Sequence, residues 1–195
     1  RDDVESRGLG DVYKRQTLFG IWNFGFHALL VVLVTVISSV FFEWLYDRLM
    51  HKKNTTTDFS AVVTGLLLGM NLPSTIPIWM VILGSAFSII IVKQLFGGLG
   101  QNFMNPALAG RCFLLISFAG QMTKFTYDGV TGATPLAVLK NGGEVSVLKM
   151  FLGTTGGVIG ETCTIALLAG GIYLIIRKVI APTIPPVSYT HLTLP

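Results

Sequence analysis

Charge is what this chain has least of. Only 12% of its 195 residues are Asp, Glu, Lys or Arg, about half the share of an ordinary soluble domain. That scarcity excludes a disordered chain, a coiled coil and an ordinary soluble enzyme, all of which need a charged surface. Cysteine is almost missing as well. Cys112 and Cys163 are too few for a disulfide scaffold, and their separation fits no zinc or haem spacing. Both lie in apolar runs and are expected to be small buried hydrophobes. No basic patch with interleaved aromatics occurs, so the net charge of +4 is loop charge and gives no footprint for nucleic acid. What remains is apolar: 51% hydrophobic residues, with 22 Gly and 13 Phe, at a mean hydropathy of +0.67. An all-α integral membrane protein is the class these numbers leave.

The two ends depart from that class. Residues 1–16 hold balanced charge and no apolar h-region, so they are not a signal peptide. Residues 6–16 (SRGLGDVYKRQ) and 187–195 (VSYTHLTLP) look like translated sequencing-adapter read-through. The expectation is therefore an adapter-like artefact at 1–16, a transmembrane fragment at 17–186 and a second adapter-like stretch at 187–195.

Thr17 to Phe42 carries no charge over 26 residues, more than the ~20 a helix needs to cross the hydrocarbon core. The helix is expected to continue to Tyr46, before a basic loop with Arg48, Lys52 and Lys53. A second uncharged run, Phe59 to Val92, is interrupted by Leu72-Pro73-Ser74-Thr75-Ile76-Pro77. Two prolines in a polar turn predict a short helix at 59–71, capped by Thr57 or Asp58, and another at 77–95. Phe96 to Gly110 (FGGLGQNFMNPALAG) is rich in Gly and Asn, and lipid would leave such irregular backbone unsatisfied. It must be buried in protein or line a cavity, followed by a half-helix from Asn105-Pro106 to residue 119. Residues 120–149 read as a polar loop, and 150–176 as a last span closed by Arg177-Lys178.

Placing Arg48, Lys52, Lys53 and Arg177-Lys178 on the cytoplasmic side orients the chain. The 17–46 helix then runs inward, 59–71 outward, 77–95 inward and the half-helix outward. Loop 120–149 falls outside.

That loop contains Asp128-Gly129-Val130-Thr131-Gly132-Ala133-Thr134-Pro135. As local structure this is a Gly/Asp turn followed by a Thr-capped helix start with Pro at its first position. It also matches D-x-x-S/T-G-A-T, which resembles the sequence where a flavin transferase esterifies FMN phosphate onto the final Thr. An exposed hydroxyl with small neighbours is what that reaction requires, and Thr134 behind Gly132-Ala133 offers it. The segment Gly97-Gly98-Leu99-Gly100-Gln101-Asn102-Phe103-Met104-Asn105-Pro106-Ala107-Leu108-Ala109-Gly110-Arg111, with Thr64-Gly65-Leu66-Leu67-Leu68, Leu72-Pro73 and Gly160-Glu161-Thr162, extends the likeness across 18–180. Together these resemble the family formed by the D subunit of the Rnf ferredoxin:NAD⁺ oxidoreductase and the B subunit of the sodium-pumping NADH:quinone reductase. FGGLGQN and DGVTGATPLAVLK look closer to the Rnf member.

The resemblance implies ten transmembrane helices in two related halves, similar to urea transporters, with broken helices at the repeat interface. This chain would supply about one half. It implies FMN in phosphoester linkage to Thr134, with Asp128, Thr131, Gly132 and Ala133 forming the attachment sequence, and leaves room for a second flavin in the full-length protein. The implied setting is the bacterial inner membrane, with 120–149 extracytoplasmic, and the implied partners are the other Rnf subunits, the flavin transferase and the lipid bilayer. No catalytic residue and no metal ligand is assigned, and without an Fe–S or NAD motif electrons must enter and leave through other subunits. Lys124 and Lys140 could screen the phosphodiester, or be solvated bystanders.

Three ionisable residues in apolar runs need two readings each. Glu161, near the middle of 150–176, is an ion-pathway candidate because an intramembrane carboxylate costs several kcal/mol to insert. The alternative is a buried Glu paired with Arg111, or one capping a broken helix at Gly153–Gly160. Glu43 is either an interfacial acid reaching back to water or, as the quinone-reductase relative implies, a residue tied to cation uptake. His27 is expected to be a hydrogen-bonded packing residue rather than a ligand. The functional reading is a flavin-bearing membrane subunit of a redox-driven ion pump, since FMN can pass electrons singly. The rivals are the quinone-reductase subunit and a non-redox, urea-transporter-like solute channel.

Overall fold

The computed structural model describes residues 25–51, 59–98, 101–127, 130–132, 157–160, 168, 171–173 and 175–176. Its first element, α1 (Phe26–Leu49), follows Gly25, whose φ of 74° interrupts any helix running into it. Twenty-four residues span about 36 Å at 1.5 Å per residue. Among the described residues this is the one helix long and apolar enough to cross a bilayer. Its two faces invert the pattern of a soluble helix. The buried stripe is Ala28, Val31 and Val32 in its first part and polar from Thr35 on (Thr35, Ser38, Ser39, Glu43, Asp47), whereas Leu33, Ile37, Phe41 and Trp44 face outward. In lipid, small residues belong at helix interfaces and large apolar ones against the acyl chains. Thr35 and Ser38 satisfy their hydroxyls on the backbone carbonyls of Val31 and Thr35.

Helix α2 (Ser60–Met70) packs along α1 through glycines four residues apart. A Cβ on Gly65 would lie 2.9 Å from Thr35 O, Val36 Cα and Ser39 Oγ, and one on Gly69 3.2 Å from Thr35 Oγ1. The backbones therefore approach as closely as a Gly-xxx-Gly seam permits. The expected capping residues Thr57 and Asp58 lie outside the described residues. Phe59 occupies the position before the helix in a left-handed conformation, without a side-chain cap.

The turn after α2 ends where the prolines require. Ile76 N donates to Pro73 O, and Pro77 is extended before α3 (Ile78–Ala86). Helix α3 continues over Phe87–Gln94 with wider i→i+5 winding, seen at its end in Leu95 N donating to Ile90 O. Gly97 and Gly98, with φ of 112° and 94°, then reverse the chain. Helix α4 (Pro106–Ser117) starts on Asn105, whose side chain accepts from Ala107 N at 3.0 Å, with Pro106 at the first helical position. It packs on α3 through a second glycine pair. A Cβ on Gly84 would meet Leu114 Cδ1 at 2.6 Å, and one on Gly110 would meet Gly84 O at 3.1 Å. Phe87 and Phe113 stack beside it at 4.3 Å.

A short helix, α5 (Ala119–Met122), leads into strands β1 (Phe125–Tyr127) and β2 (Val130–Gly132), antiparallel with Tyr127 opposite Val130. Residues 120–132 thus hold the end of α5 and a pair of strands rather than a plain polar loop, a small β element among otherwise helical described residues.

Two further expectations need correction. Cys112 is exposed rather than buried, because an apolar run does not imply that every residue in it faces the core; Cys163 lies outside the described residues. The 150–176 span is not helical at 157–160. Val158 bridges Pro73, and Ile159 N and Gly160 N donate to Leu72 O and Met70 O at 3.2 and 2.9 Å. Residues 153–156 and Glu161 lie outside the described residues, so of the expected break at Gly153–Gly160 the structure describes only the non-helical stretch 157–160.

Candidate functional site

The antiparallel helices give the bundle two ends, and the chemistry divides between them. At one end His27 Nδ1 donates to Ser74 O at 2.5 Å, tying the start of α1 to the proline turn. His27 is hydrogen-bonded as expected. Thr75 Oγ1 donates to Lys124 O at 3.1 Å, which fixes the approach to the hairpin at this same end. Thr131 and Gly132 lie on β2, opposite Thr126 and Phe125. Asp128, Ala133 and Thr134 lie outside the described residues, as does Lys140. Lys124 itself is exposed.

At the other end is a cluster that the sequence pattern only half reveals. Glu43 is fully buried, at 0% exposure, rather than reaching back to water. Lys93 Nζ donates to Glu43 Oε1 at 2.6 Å and to Ser60 Oγ at 2.6 Å, with its side chain 2% exposed. Gln94 Nε2 adds a third hydrogen bond, to Glu43 Oε1, at 3.1 Å. Asp47, one turn further along α1, is also buried. A buried carboxylate and ammonium this close form a charge-assisted bond, but desolvation offsets most of the attraction. Stability alone is therefore a poor reason for the pair.

In the sequence Lys93 stands out only as the charge closing an apolar run, and Ser60 and Gln94 not at all. The available signal was a Lys-Gln pair ending a span otherwise free of charge. The i→i+5 winding of Phe87–Gln94 sets which face of the helix Lys93 occupies.

Ser60 also lines an open cleft of about 520 Å³, with Thr64, Asn102, Asn105 and Pro106. Asn102, Met104, Asn105 and Pro106 of the Gly/Asn segment thus line a cavity, one of the two placements expected, while Phe96 and Phe103 are exposed. Asn102 Oδ1 is buried there without a hydrogen-bond partner among the described residues.

Glu161 lies outside the described residues. Gly160, just before it, is bonded to Met70, while Arg111 donates to Asn71 Oδ1 at 3.0 Å. Both contacts sit at the C-terminal end of α2, whereas Ser60 begins it. The helix's 11 residues put about 16 Å between the two. No group of three or more His, Cys, Asp and Glu able to hold a metal occurs among the described residues.

Comparison with known proteins places these features in a family. The profile of the NQR2, RnfD, RnfE family matches residues 14–194. The D subunit of the Na(+)-translocating ferredoxin:NAD(+) oxidoreductase complex of Acetobacterium woodii is 50% identical over 179 residues, covering 87% of this chain and 55% of that protein. The D subunit of the proton-translocating ferredoxin:NAD(+) oxidoreductase complex of Clostridium ljungdahlii is 46% identical, covering 87% and 56%. The B subunit of the Na(+)-translocating NADH-quinone reductase of Ectopseudomonas mendocina is 39% identical, covering 76% and 39%. The chain spans about half the length of the two ferredoxin:NAD(+) oxidoreductase relatives.

Proposed function

This chain belongs to the NQR2, RnfD, RnfE family of integral membrane proteins, and from that premise we propose that it serves in the flavin-bearing membrane subunit of an Rnf-type, redox-driven ion pump. The higher identity to the ferredoxin:NAD(+) oxidoreductase relatives than to the quinone-reductase relative favours the Rnf complex. Its setting would be the bacterial inner membrane, with the hairpin end extracytoplasmic and the other Rnf subunits as partners. The fuller architecture would be ten helices in two related halves, of which this chain supplies one. Within it, Thr134 carries FMN as a phosphoester, and Glu43 and Glu161 line the ion route.

The observation that carries this reading is the division between the two ends. The flavin-type sequence leaves the bundle on a pinned hairpin at one end, and a buried carboxylate sits beside a cleft at the other. The described residues fit a tethered group. Strand β2 carries Thr131 and Gly132 to within two residues of Thr134, at an end where Thr75 and Lys124 are exposed. A covalent tether needs an accessible hydroxyl, not a closed pocket. FMN, when bound, would supply one-electron transfer. The chain's own contribution is to hold the attachment sequence at one end of the bundle and to keep a charged carboxylate buried at the other. Lys124 adds an exposed positive charge at the hairpin end.

The test is in-gel fluorescence of the denatured full-length protein, co-expressed with a flavin transferase. A fluorescent band is expected, lost in Thr134→Ala and at most weakened in Thr131→Ala. A band that persists in Thr134→Ala would move the attachment elsewhere. No band with an active transferase present would favour the solute-channel reading.

A further inference from the structure

We propose that Lys93 is a tethered counter-cation: its ammonium holds the place between Glu43 and Ser60 that an alkali cation takes when it enters from the cleft. This rests on the reading of Glu43 as a residue of the ion route, and deepens it. The ammonium lies 2.6 Å from Glu43 Oε1 and 2.6 Å from Ser60 Oγ, two oxygen ligands of the kind a hard cation requires. Gln94 holds the carboxylate in place from the same turn of helix as Lys93. Ser60 belongs to both the pair and the cleft, so the position filled by Nζ is one oxygen away from an open path lined by Thr64, Asn102 and Asn105. Along that path Asn102 Oδ1 offers a further oxygen, buried and without a hydrogen bond among the described residues.

The tether also has a built-in means of withdrawal. Lys93 sits in the i→i+5 segment Phe87–Gln94, and such winding carries one residue more than the α-helix it interrupts. Conversion to α-helical winding would shift the register by one residue, turning Lys93 by about 100° around the helix axis. That rotation removes Nζ from Glu43 and leaves the carboxylate to be neutralised by an incoming cation. Glu43 is then never left buried and uncompensated, because the lysine and the cation exchange at one position.

The experiment uses the assembled complex in membrane vesicles, with NaCl titrated against choline chloride and ferredoxin-dependent NAD⁺ reduction as the readout. Removing a tethered competitor in Lys93→Met should lower the half-saturating Na⁺ concentration by roughly tenfold or more. The thermal midpoint of that variant should begin to rise at a correspondingly lower Na⁺ concentration than that of the parent complex. Lys93→Arg, which keeps the charge in a broader group, should leave the stability independent of Na⁺. An unchanged half-saturation in Lys93→Met overturns the proposal, and so does a variant that fails to assemble equally in Na⁺ and in choline. Glu43→Gln separates the two levels of inference. If it leaves the Na⁺ dependence untouched, the ion-route reading fails. If it shifts that dependence and Lys93→Met does not, only the tether fails.

Discussion

The close approach of Gly65 in α2 to α1 gives a prediction whose size can be worked out. In Gly65→Ala the new methyl would stand 2.9 Å from three atoms, against ordinary contact at 3.4–4 Å. Ser39 Oγ can rotate away, but Thr35 O and Val36 Cα are backbone, so the helices must part by roughly half an ångström or more. Overpacking of this kind costs ~1–3 kcal/mol. Replacing Gly by Ala inside a helix returns ~1 kcal/mol, leaving a net loss of about 1 kcal/mol, up to about 2. Gly69→Ala meets Thr35 Oγ1 at 3.2 Å and the backbone Val32 Cα at 3.3 Å, a crowding a few tenths of an ångström less severe than at Gly65, and should come out near neutral. Gly120→Ala meets nothing within 4 Å, and should be neutral or slightly stabilising. The assay is the thermal midpoint of the full-length protein in detergent, followed by size-exclusion chromatography after heating. The expected order is Gly120→Ala at or above the parent, Gly69→Ala close to it and Gly65→Ala lowest. Ser60 lies little more than one turn before Gly65, so parting the helices should also disturb the Lys93–Ser60 bond. If Gly65→Ala matches or exceeds Gly69→Ala in stability, the close approach is not what seats α2.

Two further outcomes follow from local geometry. Asn105→Ala removes the acceptor for Ala107 N and should destabilise by about 1 kcal/mol, with Asn105→Asp restoring most of the loss; equal midpoints for all three proteins would deny the cap any role. Single cysteines at Thr75 and Lys140, in a background without Cys112 and Cys163, should react with a membrane-impermeant thiol reagent in intact cells, and one at Lys52 should not. Labelling of Lys52 alone would invert the topology, and labelling of Thr75 without Lys140 would break the link between the proline turn and loop 120–149.

What could be read from the sequence was whatever local chemistry dictates. Pro73 and Pro77 end one helix and start the next because a proline lacks the N–H and clashes with the preceding turn. Asn105-Pro106 starts α4 for the complementary reason, a side-chain acceptor followed by a residue that needs no acceptor. Glu43 stood out as an acid at the end of an apolar helix, but its partner is 50 residues away, and nothing local reports a pairing at that distance. The i→i+5 winding that brings Lys93 round to Glu43 left no mark either, since FSIIIVKQ reads equally well as an ordinary helix. The break at 157–160 was only an alternative, because the length of an apolar run reports where a segment partitions and not whether its backbone is continuous. Cys112 was misplaced by a more general error, that of equating apolar with inside. In the second half of α1 the buried side is Thr35, Ser38 and Ser39 and the outer side is Ile37, Phe41 and Trp44. A helix that hides its small polar face and exposes its bulky apolar one is stable only where the surroundings are as apolar as the core. There the buried polar face becomes the one place a charge can be held, and that is where Glu43 lies.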